Sequence, residues 1–235
     1  GGLFIAEGAQ VVTRLLRSRF ALHSILAAEH RVELVTPLVA LDVPIYVVSR
    51  EVMNSVIGFK FHSGLLACAR RSERRGIDEL IRTVGKSLTL VACPEVTNTE
   101  NLGGLIRIAA GLGADGIVLG ERCCDPFFRR TIRVSMGAVF SLPIYQCDDI
   151  RADLHRLRRQ LGVELIATVL DESALPLDRC IRKDRMAILF GNEAQGLPEA
   201  LMEICDRRVT IPMKLGTDSL NVAVSAGIVL YHFRR

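Results

Sequence analysis

The 235 residues carry a formal net charge of +4, with 49% apolar and 24% charged side chains. That balance excludes an intrinsically disordered chain and suits one large domain or two small ones. Trp is absent and only 5% of residues are aromatic, so the core must be built from Val, Ile, Leu and Ala, which favours packed α/β layers over an aromatic-rich β-sandwich.

The chain opens on Gly1 and Gly2 rather than Met, an expectation that residues precede it, and no signal-peptide pattern follows. RLLRSRFALHSILAA (residues 14–28) has helical spacing, while VPIYVVS (43–49) and SGLLACAR (63–70) read as strands. Residues 1–70 are therefore expected to form a small α/β domain. The charged, glycine-bearing stretch ARRSERRGIDELIRTVGKS (69–87) marks a boundary, with 71–86 as a linker.

Beyond it the pattern alternates. Strands are expected at 87–93, 116–120, 142–146, 163–170, 186–191 and 207–212, with helices at 101–112, 150–161, 198–204 and 219–233. Short apolar strands alternating with helices imply a mostly parallel sheet covered on both faces. The longest uncharged apolar run, Val222 to Phe233, is too short to span a bilayer. Seven cysteines with no C-x-x-C spacing predict reduced, mostly buried thiols, no metal site and a cytoplasmic location.

The cations are lopsided: 26 of the 30 are Arg, whose flat fork of donors fits phosphate and stacks on bases. They cluster at 14–19, 70–75, 129–133 and 151–159. Each cluster alone is equally well a solvated helix face; the four together lean toward nucleic acid.

GLGADG (111–116) fits the spacing of a dinucleotide-binding loop but follows a helix and enters a strand, the reverse of what that loop requires. A helix C-cap at Gly111 or Gly113 explains it better. In TNTENLGGLIRIAAGLG (97–113), Asn98 or Thr99 can cap a helix, and Arg107 lies one turn beyond Gly103 and Gly104. Two glycines in a first turn cost stability, and close backbone approach to a ligand is a usual reason. A capped helix with a surface Arg reads equally from the same residues.

In ILFGNEAQGLPEAL (188–201) a strand ends at Gly191 and Pro198 takes a helix N1 position. Such loops bind ligands in α/β sheets, and Glu193 within it suits a ligand contact, a base or a structural cap. A plain strand–turn–helix remains open. In IPMKLGTDSLNVAVSAGIVLYHF (211–233), Ser219 is a natural N-cap of a helix apolar on all sides. Such a helix is expected to be buried all round, in the core and in a subunit interface, with Ser219 and Asn221 at a partly closed site.

In order, NLGGLIR, GNEAQGL and IPM…SLNVAVSAGI resemble the three signature motifs of the SpoU-type (TrmH-like) branch of the SPOUT RNA methyltransferases, over residues 87–235. GGLFIAEGAQVVTRLL with SVIGFKFHSGLLACARR resembles, more loosely, the ribosomal-protein-like RNA-binding domain that precedes the catalytic domain in many ribosomal RNA members.

The resemblance implies a C-terminal trefoil knot and S-adenosyl-L-methionine-dependent methylation of a ribose 2′-hydroxyl in structured RNA, ribosomal RNA ahead of tRNA. It implies a homodimer through the last helix. Cofactor contacts fall on Gly191, Ile211 and Leu220, with Leu189, Phe190 and Met213 nearby; catalytic positions fall on Asn101, Arg107, Glu193, Ser219 and Asn221. Gly104 stands where Ala is common and Ala194 where Gly is common, which bears on loop geometry. The rival readings are a non-catalytic RNA-binding member of the fold and a nucleotide-dependent oxidoreductase on a doubly wound sheet.

Overall fold

The structure, a computed structural model, describes residues 2–57, 63–214 and 219–234. Its first seven elements are β1 (Leu3–Glu7), α1 (Ala9–Leu16), β2 (Leu22–Ala28), α2 (Val32–Val35), β3 (Ile45–Val48), α3 (Arg50–Ile57) and β4 (Leu65–Arg70). The four strands form one sheet in the order β1-β4-β2-β3. β4 runs antiparallel to β1 and β2, and β3 parallel to β2.

The stretch 14–28, expected to be helical from its spacing, is helical only to Leu16 and then forms β2 from Leu22. α1 ends because the Ser18 hydroxyl donates to the Leu15 carbonyl and accepts from the Phe20 amide, a local alternative to another helical turn. The chain then runs extended as β2, burying Ile25 and Ala27. Part of the looser resemblance, at 58–62, lies outside the described residues.

The remaining elements are α4 (Ile77–Thr83), β5 (Leu88–Cys93), α5 (Thr99–Gly111), β6 (Gly116–Leu119), α6 (Arg129–Val134), β7 (Ile144–Gln146), α7 (Ile150–Leu161), β8 (Glu164–Thr168), β9 (Leu175–Pro176), β10 (Arg185–Leu189), α8 (Glu199–Met202), β11 (Arg207–Thr210) and α9 (Val222–His232). Seven strands form a second sheet, β7-β6-β5-β10-β8-β11-β9, with every described pair parallel. Both faces are covered, so alternate residues of one strand enter different cores. Val91 and Cys93 of β5 join Leu102 and Leu105 of α5 and Val229 of α9. Leu88, Leu90 and Ala92 join Leu80 of α4, Leu154 of α7 and Leu201 of α8.

The stretch expected as a linker behaves differently. Ile77 and Leu80 of α4 are buried in the second core, and Arg75 bridges Tyr145 at the sheet edge. The four-stranded sheet also shares a core with the α5 face: Phe4 and Phe20 pack on Phe127 and Phe140, with ring centroids 5.1 to 5.7 Å apart. Glu7, almost fully buried, meets Arg129 Nε at 2.7 Å and Arg133 at 3.7 Å.

GLGADG closes α5. Ala114 N–H donates to the Ala109 carbonyl across left-handed Gly113, a glycine C-terminal motif.

Candidate functional site

Strand order reverses between β5 and β10, and ligands of open α/β sheets bind beyond the carboxyl ends of strands at such a point. Three loops meet there. After β5, Asn98 caps α5 by accepting from the amides of Glu100 and Asn101. That leaves the Asn101 side chain at the helix mouth.

After β10 the chain folds back on itself. Asn192 and Gly196 exchange backbone hydrogen bonds of 2.9 Å each, and Asn192 Oδ1 accepts from Ala194 N–H at 2.9 Å. A Cβ on Gly191 would lie 2.3 Å from the Gly196 carbonyl carbon and 2.5 Å from Leu197 N, so only glycine fits. The left-handed position in this loop is Gly196, at φ +68°. Ala194 is not at positive φ, so its replacement of the commoner glycine carries no strain.

After β11 the chain returns to α9. Asn221, not Ser219, is the N-cap, accepting from Ala223 N–H at 2.9 Å. Pro198 likewise sits at the N-cap of α8 rather than at N1.

The three loops are joined by side chains. Asn221 Nδ2 donates to Asn101 Oδ1 at 2.9 Å, and Asn101 Nδ2 donates to Glu193 Oε1 at 2.7 Å. Beside this chain lies a cavity of about 580 Å³, with Phe190, Gly191, Ile211, Met213, Ser219 and Leu220 in its wall. Glu193 also lines it, whereas Asn101, Asn221 and Arg107 do not. Leu189 is fully buried behind the wall and accepts from the Thr168 hydroxyl at 2.7 Å.

Residues that the motifs did not name complete the cavity: Thr168, Asp171, Glu199 and Arg208. The signal for Thr168 and Asp171, a strand end in ATVLDES, is no stronger than in any other strand. Arg208 pairs with Glu199 at 2.8 Å. Asp171 is held below the usual carboxylate range by hydrogen bonds from the Ser173 hydroxyl and amide. The acidic and basic side chains in the wall are Asp171, Glu193 and Glu199 against Arg208.

The two glycines of α5 are explained by packing and not by a ligand. A Cβ on Gly103 would meet Val134 Cβ of α6 at 2.8 Å, and one on Gly104 would meet Ala223 Cβ of α9 at 3.0 Å. Close helix crossings hold Asn101 beside Asn221. Arg107 stands between these two faces on the α5 helical wheel, about 9 Å along the axis from Asn101 at 1.5 Å per residue. It is exposed and makes no ion pair or hydrogen bond among the described residues.

Many clustered arginines also serve the fold. Arg71 pairs with Asp125, Arg74 with Asp148, Arg75 with Glu79, Arg130 with Glu100 and Arg158 with Asp206. Near the site, burial pushes the Cys93 thiol well above its ordinary range and the Cys123 and Cys124 thiols up to about 11, so none supplies a thiolate at neutral pH. Among the described residues no group of His, Cys, Asp or Glu is arranged to hold a metal ion, and no helix is long and apolar enough to cross a membrane.

Residues 88–231 match the model of the SpoU rRNA Methylase family. The chain belongs to that family. An uncharacterized tRNA/rRNA methyltransferase of Mycobacterium bovis is 39% identical over 237 residues, covering 99% of this chain and 81% of that protein. The 23S rRNA (guanosine-2′-O-)-methyltransferase RlmB of Acinetobacter baylyi is 30% identical over 186 residues, covering 78% and 75%. Among solved structures, an AdoMet-bound rRNA methyltransferase from Sinorhizobium meliloti superposes with a TM-score of 0.83 at 28% identity, covering 98% and 86%. The SpoU rRNA methylase family accounts for the mostly parallel α/β architecture and for methyl transfer as the class of chemistry.

Proposed function

We propose that this chain transfers a methyl group from S-adenosyl-L-methionine to a ribose 2′-hydroxyl of structured RNA, ribosomal RNA ahead of tRNA. The observation that carries the reading is the hydrogen-bond chain Asn221–Asn101–Glu193 at the cavity mouth, which joins three segments far apart in sequence. The relatives named for 23S rRNA ribose methylation support the RNA class.

The cavity fits the cofactor. Its volume suits a nucleoside-sized ligand, the glycine fold-back at Gly191 brings bare backbone to the wall, and the excess of carboxylates suits a ligand with a net positive charge. Bound there, the sulfonium supplies an activated methyl group and a neutral leaving group. Gly191, Ile211 and Leu220 hold it, with Phe190 and Met213 packing alongside and Leu189 supporting from behind.

The protein's part is alignment and charge. Asn101, Asn221 and Ser219 orient the ribose, and Glu193 accepts or relays its hydroxyl proton. Arg107, a guanidinium with five N–H donors and no acceptor, holds the neighbouring phosphate and stabilises the developing alkoxide.

Within one protomer Arg107 stands away from the cavity, so it acts across a homodimer in this reading. The partner packs on α9, whose Val224, Ile228 and Tyr231 are 51%, 39% and 55% exposed at helical spacing. This row is the part of α9 that its own chain leaves uncovered, an apolar face for a subunit to cover. We further infer the trefoil knot, a rare exception to unthreaded chains. It is supported by the segment after β11 lining the same cavity as the loop after β10 before α9 packs on α5. A cytoplasmic setting accords with an RNA substrate.

Arg107→Ala tests the assignment: methyl transfer to RNA is expected to fall by on the order of 10²-fold or more while calorimetric affinity for S-adenosyl-L-methionine stays within about two-fold. Normal turnover removes Arg107 from the mechanism.

A further inference from the structure

We propose that the seam between the two sheets holds a second RNA subsite, a cleft for one unpaired nucleotide flanking the methylated one. The proposal rests on the RNA methyltransferase reading and names a recognition element beyond it. Segment 71–75 runs along the edge strand β7, where the Arg75 carbonyl accepts from Gln146 N–H at 2.9 Å. Between this segment and the sheet lies a cleft of about 250 Å³, room for a single base and smaller than a usual drug-sized pocket.

Its lining has three chemical parts. The floor is apolar, with Val139, Leu142 and Ile144 beside the rings of Phe20 and Phe127. The rim carries Arg19, Arg71, Arg74 and Arg75. Gln146 and Glu73 supply an amide and a carboxylate, the acceptor and donor types that read a base edge. Arg71 already lies over the Phe127 ring, 5.6 Å from its centroid, the stacked arrangement on which unpaired bases are held.

The rim arginines are not used up by the fold. Arg71, Arg74 and Arg75 pair with carboxylates outside the cleft, and Arg74 also donates to the Cys147 carbonyl at 3.0 Å; each guanidinium has five N–H donors, and the exposed pairs of Arg71 and Arg74 are weak enough to exchange for phosphate. Arg19 is exposed and makes no ion pair among the described residues. The side-chain amide of Gln146 has no hydrogen-bond partner among the described residues.

Placement fits as well. β7 stands three strands from β10, roughly 14 Å at the usual strand spacing, and Gln146 ends its strand on the same edge of the sheet as Gly191. A nucleotide held here belongs to the same RNA segment as the ribose at the cavity.

The test uses a fluorescein-labelled, mixed-sequence single-stranded RNA 12-mer and the full chain. Arg19→Glu is expected to weaken binding roughly tenfold and to reduce the slope of log affinity against log salt by about one. Gln146→Ala is expected to weaken binding about three- to tenfold with the slope unchanged. Arg159→Glu, an exposed α7 arginine without an ion pair among the described residues, controls for net charge and should change affinity less than Arg19→Glu. Calorimetric affinity for S-adenosyl-L-methionine should stay within two-fold in all three.

Wild-type affinity in both cleft variants, an equal loss in Arg159→Glu, or equal displacement of the 12-mer by polyglutamate overturns the subsite. Absence of both cofactor binding and methyl transfer in the wild type overturns the parent reading instead, so the two failures are separable.

Discussion

Asn221 Nδ2 lies 2.9 Å from Asn101 Oδ1, a hydrogen bond between residues 120 apart in the chain. Because Asn101 passes its own N–H to Glu193 at 2.7 Å, one amide fixes the start of α9 against the loop after β10. Asn101→Ala removes both bonds at once. Asn98 still caps α5, so the helix should survive. The expected outcome is methyl transfer reduced by about 10²-fold, the usual effect of a misplaced reacting group, with thermal stability nearly unchanged. Single-turnover kinetics beside a thermal melt checks this. An equal loss of stability would make Asn101 merely structural.

Gly191 is a sharper case because its constraint is backbone against backbone. Adding one methyl places carbon 2.3 Å from the Gly196 carbonyl carbon, and backbone cannot rotate away as a side chain does. Gly191→Ala should open the fold-back, at a strain of about 1–3 kcal/mol, and weaken S-adenosyl-L-methionine by roughly 5- to 140-fold. Isothermal calorimetry reads the change directly. Unaltered affinity would mean that the loop after β10 does not hold the cofactor.

The charges at the cavity mouth give a prediction with opposite signs. Asp171 and Glu199 attract a ligand of net positive charge, and Arg208 opposes them. At about 8 Å in a water-like dielectric each interaction changes affinity about two-fold, less as salt is raised. Asp171→Asn with Glu199→Gln should therefore weaken S-adenosyl-L-methionine about fivefold, and Arg208→Gln should strengthen it about twofold. The demethylated product, S-adenosyl-L-homocysteine, carries no net charge and should change less in both. Parallel shifts for the two ligands would show that the mouth acts by shape alone.

Six of the seven strands of the second sheet are legible in the sequence because a strand buried on both faces is a short apolar run, as in LTLVAC or MAILF. What the sequence hides is partnership. α6, six residues with three arginines, carries little apolar signal, since its role is to meet Gly103 closely and to pair with Glu7. β9, only two residues long, is defined by its neighbour β11. The helical spacing over 14–28 fails because apolar residues of α1 and β2 fall in phase across the turn at Ser18. At the site, Asn101, Glu193 and Asn221 come from the three motif stretches, but they meet through contacts spanning 92 and 120 residues. No local pattern reports those contacts, and none reports that Asn221 displaces Ser219 as the cap.

The most direct measurement is the chemical position of the transferred methyl group. Purified protein is incubated with tritiated-methyl S-adenosyl-L-methionine and ribosomal RNA, and the RNA is hydrolysed with alkali, which cleaves only beside a free 2′-hydroxyl. The account predicts label in alkali-resistant dinucleotides, lost with Arg107→Ala. Label recovered on free bases or in mononucleotides, or no incorporation into RNA, would contradict it.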